Sequence, residues 1–277
     1  MTEPTSMEEL LDFAVGLARR AGQLTLEHFQ SGTASEIKAD GTPVSAADRQ
    51  AERSMREEIE RRFKDDGIVG EEFGESRPRA RRRWILDPID GTRSFLRGVP
   101  LYGVMIGLEE EGEAVLGVLH FPALGGETVY AARGAGCWWD GQRARVSGVE
   151  RLSQALLLTT DAERLANQGR GREWDHLRGR ASFVRTWGDC YGHALVATGR
   201  AEAMLDPVLA AWDAAALLPI VEEAGGVFTD WSGEPTHLGG SGVSTNRRLA
   251  AELRAVLGST TSPPAPLPRP APPAPPG

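Results

Sequence analysis

The run Trp84-Ile85-Leu86-Asp87-Pro88-Ile89-Asp90-Gly91-Thr92-Arg93-Ser94-Phe95 passes from apolar residues to two carboxylates within a few positions. Residues 84–86 read as a strand that delivers Asp87 at its end. Pro88 cannot donate to a sheet ladder and stops the pairing. Asp90-Gly91-Thr92 then turns the chain into a helix start. Two carboxylates three residues apart at such a turn can converge on one hard cation, and the Ile89 carbonyl between them offers a neutral oxygen. The free N–H groups of Gly91 and Thr92 suit a phosphate. Asp also serves turns and caps with no ligand at all, so this run by itself leaves both readings open.

Two further acidic sites narrow the choice. Gly70-Glu71-Glu72-Phe73-Gly74 follows the short apolar run Ile68-Val69 and sets a Glu pair at a second strand end. Trp212-Asp213-Ala214-Ala215-Ala216 opens an Ala- and Leu-rich segment that ends at Gly225-Gly226. Asp213 alone would pass as a helix N-cap. Three such sites in one chain point to a shared task.

Around these sites the periodicity is mixed. Residues 7–29 carry apolar side chains at helical spacing. A second helix is expected over 46–63, with Ser45 as its cap and Asp48 in its first turn. Short β-type runs follow at 68–69, 84–86, 104–108 and 115–120, and others near Val129 and Val146, with glycines as punctuation. Trp138-Trp139-Asp140-Gly141 reads as a strand and hairpin turn. Beyond residue 153, strands at 156–159 and 184–187 alternate with helices at 192–199 and 213–224. Pro219, inside the last helix, should free the Ala215 carbonyl and kink the helix at roughly 3 kcal/mol. The organisation expected is one folded unit over 6–258. Its N-terminal half, 6–150, combines helices with a meandering sheet, and its second half, 151–258, is α/β. Residues 259–277 hold half of the 18 prolines and read as a disordered tail, with a PxxP-binding partner as the alternative.

Composition limits the function further. The chain has 277 residues, a net charge of −8 and two cysteines, Cys137 and Cys190. No basic surplus exists to neutralise nucleic-acid phosphates or an anionic membrane. The arginine run from Arg77 to Arg83 reads as a solvated loop. No apolar stretch reaches the roughly 18 residues of a membrane span, and two cysteines cannot build a disulfide framework. A cytoplasmic protein is the expectation. His193 lies among small residues and reads as packed or hydrogen-bonded, and Cys190 lacks a base that would make it a nucleophile.

Taken together, Gly70-Glu71-Glu72, Asp87-Pro88-Ile89-Asp90-Gly91-Thr92 and Trp212-Asp213 with the later Glu-Ala-Gly-Gly resemble the inositol monophosphatase family, from about residue 8 to 250. The resemblance implies a layered αβαβα sandwich of mixed α/β class and a homodimer. It puts metal ligands at Glu71, Asp87, the Ile89 carbonyl, Asp90 and Asp213, holding two or three Mg²⁺ ions, with Mn²⁺ as a substitute. Thr92, paired with Asp48, would orient the attacking water beside Glu71, with Glu72 next to the site and Lys38 in a loop that helps complete it. Substrate contacts would fall on Gly91, Thr92, Asp90, Asp189, Asp206 and Asp213. The chemistry is consistent with this set. Clustered carboxylates repel without cations, oxygen-only ligands favour Mg²⁺ or Mn²⁺, and no P-loop motif occurs. Asp189-Cys190-Tyr191 and Phe228-Thr229-Asp230-Trp231 resemble the histidinol-phosphate phosphatase branch. The implied reaction is hydrolysis of L-histidinol phosphate in histidine biosynthesis, and Asp189 and Asp206 would complement its ammonium group. Inositol monophosphate, or another small sugar or nucleotide phosphate, is the alternative substrate. A non-catalytic metal-binding scaffold is the alternative class.

Overall fold

A computed structural model describes residues 5–31, 35–37 and 43–258. Lys38 and the Pro-rich tail lie outside the described residues. Helix α1 (Met7–His28) is followed by a two-stranded ribbon, β1 (Ser35–Ile37) and β2 (Pro43–Ser45), and by α2 (Ala46–Arg62). The first large sheet is built from β3 (Gly67–Gly70), β4 (Gly74–Ser76), β5 (Arg82–Asp90), β6 (Gly103–Glu110), β7 (Glu113–Phe121), β8 (Glu127–Ala132), β9 (Gly136–Trp139) and β10 (Gln142–Arg143). Helix α3 (Thr92–Leu96) links β5 to β6. From β5 to β10 the strands form an antiparallel meander, whereas β3 lies parallel to β5.

The second half supplies β11 (Leu156–Leu158), α4 (Ala162–Asn167), α5 (Gly171–Arg178), β12 (Phe183–Arg185) and α6 (Asp189–Ala197). It continues through β13 (Ala203–Asp206), α7 (Ala211–Ala214), α8 (Leu217–Glu223), β14 (Val227–Thr229), β15 (Gly242–Thr245) and α9 (Ala250–Leu257). Its five strands run in the order β12-β11-β13-β15-β14.

Strand alternation generates the layers, because successive side chains point to opposite faces. Ile106 and Val118 pack under α1 and α2, while Met105 and Leu119 pack with α6 and α8 on the other face. The smaller sheet repeats the arrangement. Leu158 and Met204 meet α6, and Leu157 and Leu205 meet α5 and α9. The result is the αβαβα sandwich that the sequence suggested.

Several elements differ from expectation. The helix expected over 213–224 is two helices, separated by a turn at Ala215 and Ala216, and Pro219 sits in the first turn of α8, where a missing N–H does little harm. Asp213 is therefore no N-cap but the third residue of α7. The helix expected at 192–199 starts at Asp189 instead. Val146 lies in no strand, and its N–H donates to the Ala224 carbonyl at 3.1 Å. Arg82 and Arg83 are not loop residues. They belong to β5 and pair with the buried Asp66 and Glu109 at 2.8 and 2.7 Å. The hairpin at Asp140-Gly141 forms, with φ of 47° and 79° at the two turn residues.

Two glycines set how closely α7 and α8 approach the sheet. A Cβ at Gly117 would stand 2.1 Å from the Ala216 carbonyl oxygen, and one at Gly107 would stand 2.8 Å from Ala215 Cβ. The turn behind Asp213 thus rests directly on β6 and β7. Backbone cannot yield as a flexible side chain can, so Gly117→Ala is expected to destabilise the fold by about 1–3 kcal/mol. Chemical denaturation of the two proteins measures this, and an unchanged midpoint would show that the close approach is dispensable.

Candidate active site

Asp87 and Asp90 reach one site because β5 is bulged. In a regular strand, residues three apart face opposite sides of the sheet. Here Asp87 pairs with Met105 and Asp90 with Gly103, so Pro88 and Ile89 together oppose Val104. The additional residue restores the two carboxylates to one side. Asp87 Oδ1 accepts the Ile89 N–H at 3.0 Å, which tightens the bulge. Gly91, at φ 86°, then turns the chain into α3. A Cβ there would lie 2.9 Å from the Leu101 carbonyl oxygen and 3.1 Å from Asp189 Oδ2.

Glu71 arrives by the parallel pairing of β3 with β5. Gly70 is in register with Leu86, and the Glu71 N–H donates to the Leu86 carbonyl at 3.3 Å, so Glu71 and Asp87 leave adjacent strand ends together. Asp213 comes from the opposite layer, its carboxylate accepting the Ala210 N–H at 2.8 Å. Asp87, Asp90 and Asp213 each direct a carboxylate oxygen into a cluster whose members lie within 4.8 Å of one another. Glu71, Ile89, Gly91 and Thr92 border the same cleft, which encloses about 680 Å³.

The remaining expected residues have defined partners. Asp48 accepts both the N–H and the hydroxyl of Ser45, at 2.8 and 2.6 Å, in a capping box at the start of α2. The Thr92 hydroxyl donates to the Ile89 carbonyl at 3.0 Å. The expected Thr92–Asp48 pair is thus not a direct hydrogen bond; each side chain is satisfied by its own backbone neighbourhood. Glu72 donates its N–H to Glu52 Oε2 at 2.7 Å. Asp189 and Asp206 border an inner recess of about 100 Å³ beside Asp90 and Asp213. Cys190, also in that recess, donates its N–H to Asp90 Oδ2. Burial pushes the Cys190 thiol well above its ordinary range, so it is no nucleophile. His193 is buried and bonded to Ser244, as its setting among small residues suggested.

Sequence reading missed Glu52, Thr160 and Arg164. Glu52 is buried beneath the Glu71-Glu72 turn, accepts the Glu72 and Phe73 N–H groups and is paired with Arg56 at 2.7 Å. The only trace of it in the sequence is its four-residue spacing from Arg56. Thr160 and Arg164 line the cleft from the turn after β11 and from α4, segments with no motif to flag them.

The electrostatics follow from burial and from mutual repulsion. Burial first, then the charges of Glu71, Asp90 and Asp213, hold the Asp87 carboxyl well above the ordinary carboxylate range. Asp90 is raised in the same way, by burial and then by Asp189 and Asp213. Burial lifts Asp213 to about 7, and burial with the charge of Asp206 lifts Asp189 to about 7. Burial also raises Asp48, against the two hydrogen bonds from Ser45. Such a donor set, all oxygen and self-repelling, fits a small hard divalent cation.

The sign of the pH dependence follows. Without a cation, the folded protein binds protons at Asp189 and Asp213 that the unfolded chain, titrating near 3.8, has already released. Stability therefore falls as pH rises from about 4 to about 7. A divalent cation at the cluster of Asp87, Asp90 and Asp213 would take the place of protons held there. Mg²⁺ at a hundredfold excess over its Kd is expected to raise Tm by roughly 5–10 °C at pH 8 and by much less at pH 5. Thermal melts at the two pH values check this, and equal shifts would contradict it.

The sequence profile of the inositol monophosphatase family matches residues 6–261. A histidinol-phosphatase of Chlorobaculum parvum is 48% identical over 251 residues, covering 90% of this chain and 96% of that protein. A histidinol-phosphatase of Mycobacterium tuberculosis is 39% identical, covering 88% and 95%. Among solved structures, an inositol monophosphatase from Zymomonas mobilis superposes with a TM-score of 0.82 at 33% identity, covering 92% of this chain and 99% of that one. The chain belongs to the inositol monophosphatase family and is a phosphoric monoester hydrolase.

Proposed function

We propose that the protein hydrolyses L-histidinol phosphate to L-histidinol and phosphate in a Mg²⁺-dependent reaction, with Mn²⁺ able to substitute. The observation that carries the substrate assignment is the recess beside the acidic cluster, where the half-buried Asp189 and the buried Asp206 provide two carboxylates and Arg164 one positive charge. The histidinol-phosphatases similar to this chain support the same assignment. An ammonium-bearing ester satisfies those charges, whereas a neutral polyol offers them only hydroxyl groups. Inositol monophosphate is the second reading, favoured by the likeness to the Zymomonas mobilis structure. The same proposal includes a homodimer and a cytoplasmic location.

In this reading Glu71, Asp87, Asp90, Asp213 and the Ile89 carbonyl hold the cations. Divalent cations at such a site supply water of lowered pKa and relieve charge on the phosphoryl and leaving oxygens. Asp48 and Thr92, each fixed by a local hydrogen bond, orient the attacking water together with Glu71. The Gly91 and Thr92 N–H groups meet phosphoryl oxygens, and the approach of Leu101 to Gly91 leaves no room there for a side chain. Asp189 and Asp206 hold the organic end, so that the ester oxygen faces the cluster.

Phosphate release from histidinol phosphate and inositol-1-phosphate, measured side by side with Mg²⁺, tests the assignment; a clear preference for the inositol ester would overturn it. Asp90→Asn is expected to lower kcat by several orders of magnitude while unfolding stays cooperative, and near-normal turnover would remove Asp90 from the cation site. Asp189→Ala is expected to raise KM chiefly for the cationic ester. Steady-state kinetics on both esters checks that, and unchanged KM would remove Asp189 from the organic end.

A further inference from the structure

Thr160 follows β11 and stands between the two carboxylates of the recess. Its hydroxyl forms two hydrogen bonds in opposite senses. It donates to Asp206 Oδ2 at 3.0 Å and accepts the Asp189 N–H at 2.8 Å. The Thr160 backbone N–H donates to the other oxygen of Asp206 at 3.1 Å. Asp206 is itself buried and backed by His193, whose Nε2 lies 3.4 Å from Oδ2, while the other ring nitrogen shares a 2.6 Å hydrogen bond with Ser244.

The segment that Thr160 holds is not at rest by itself. Asp189 has φ of 53°, a left-handed conformation that a residue with a Cβ seldom takes. Just before it, a Cβ on Gly188 would come within 2.4 Å of Thr160 Cα and 2.8 Å of Oγ1, so only glycine lets the chain cross so near. Strained backbone persists where neighbouring groups over-determine it. Here those groups are the Thr160 hydroxyl and the close crossing at Gly188.

We propose that Thr160 is a positioning residue for substrate recognition: its one hydroxyl ties the Asp189 backbone to the Asp206 carboxylate and so fixes the spacing of the two charges that meet the organic end of the ester. This rests on the substrate reading given above. Thr160 donates to none of Asp87, Asp90 and Asp213 and is joined to them through the Asp189 backbone and the following Cys190 N–H, which donates to Asp90, so its loss acts on recognition before it acts on the phosphoryl group. Valine keeps the shape of threonine and removes the hydroxyl. It leaves the Asp189 N–H without its acceptor and Asp206 Oδ2 without its donor, whereas serine retains both contacts.

The test compares the parent enzyme with Thr160→Val and Thr160→Ser at saturating Mg²⁺, on histidinol phosphate, inositol-1-phosphate and p-nitrophenyl phosphate. Losing such a bond should raise KM for the preferred natural ester about tenfold. Its kcat, and both constants for p-nitrophenyl phosphate, should stay within about threefold, and serine should restore KM to within about threefold of the parent. Thr160→Ala replaces the valine variant if that one does not fold. Equal losses on all esters, a loss confined to kcat, an unchanged KM, or failure of serine to restore it would each overturn the proposal. The parent enzyme's own preference reads separately. Should it favour inositol-1-phosphate, the histidinol phosphate assignment falls, and Thr160 is still judged on KM for the ester that the enzyme prefers.

Discussion

The repulsion among Asp87, Asp90 and Asp213, held within 4.8 Å and away from bulk water, is the constraint to which the rest of the fold answers. Like charges at that separation interact weakly in water and strongly in a protein interior. Left alone, such a cluster must take up protons or a cation, and in the metal-free protein the raised carboxyls show the first response. The surrounding structure therefore works against a local electrostatic penalty. It does so with two apolar layers, one on each face of the large sheet, which lock the strand ends that carry the acids.

Three backbone devices produce the convergence. The bulge at Pro88-Ile89 puts Asp87 and Asp90 on one side, and the parallel register of β3 with β5 brings Glu71 beside them. Glycines at 107 and 117 allow the turn between α7 and α8 to rest on the sheet, which brings Asp213 across from another layer. No one of these devices makes a site by itself. Beneath the Glu71 turn, the buried Glu52, paired with Arg56, adds a fourth support by accepting the Glu72 and Phe73 backbone N–H groups.

The acids were legible in the sequence because their motifs combine a chemical requirement with a backbone one: a carboxylate, then a proline or glycine that stops or turns the chain. The strand and helix alternation was legible for a similar reason, as apolar residues recur with periods of 2 and 3.6. What sequence reading missed is tertiary. Nothing about Thr160 or Glu52 is unusual until distant residues arrive beside them. Pro219 was expected to kink one long helix because its place in the chain was visible and the turn at Ala215-Ala216 was not. That turn exists because the Gly107 and Gly117 stripe admits it, and the relation between residues a hundred positions apart is not a local pattern. The local partners of Thr92 and Asp48 were likewise not read: the Ile89 carbonyl and Ser45 are near in sequence and fix the two side chains separately.

The division of labour between the two sheets follows from these origins. Glu71, Asp87 and Asp90 stand at strand ends of the larger sheet, whose ladder and bulge set the positions of their backbones. Asp206 ends a strand of the smaller sheet, in register with Gly242, while Asp189 and Thr160 come from its connections, where a hydroxyl and a left-handed backbone set the geometry. The two walls meet where the Cys190 N–H donates to Asp90. Arg93 borders the cleft and Arg164 borders both cleft and recess, each exposed and close enough to oppose the rise in the Asp189 carboxyl. A cleft that sets arginines beside its carboxylates draws in a phosphate ester that an all-acidic one would repel.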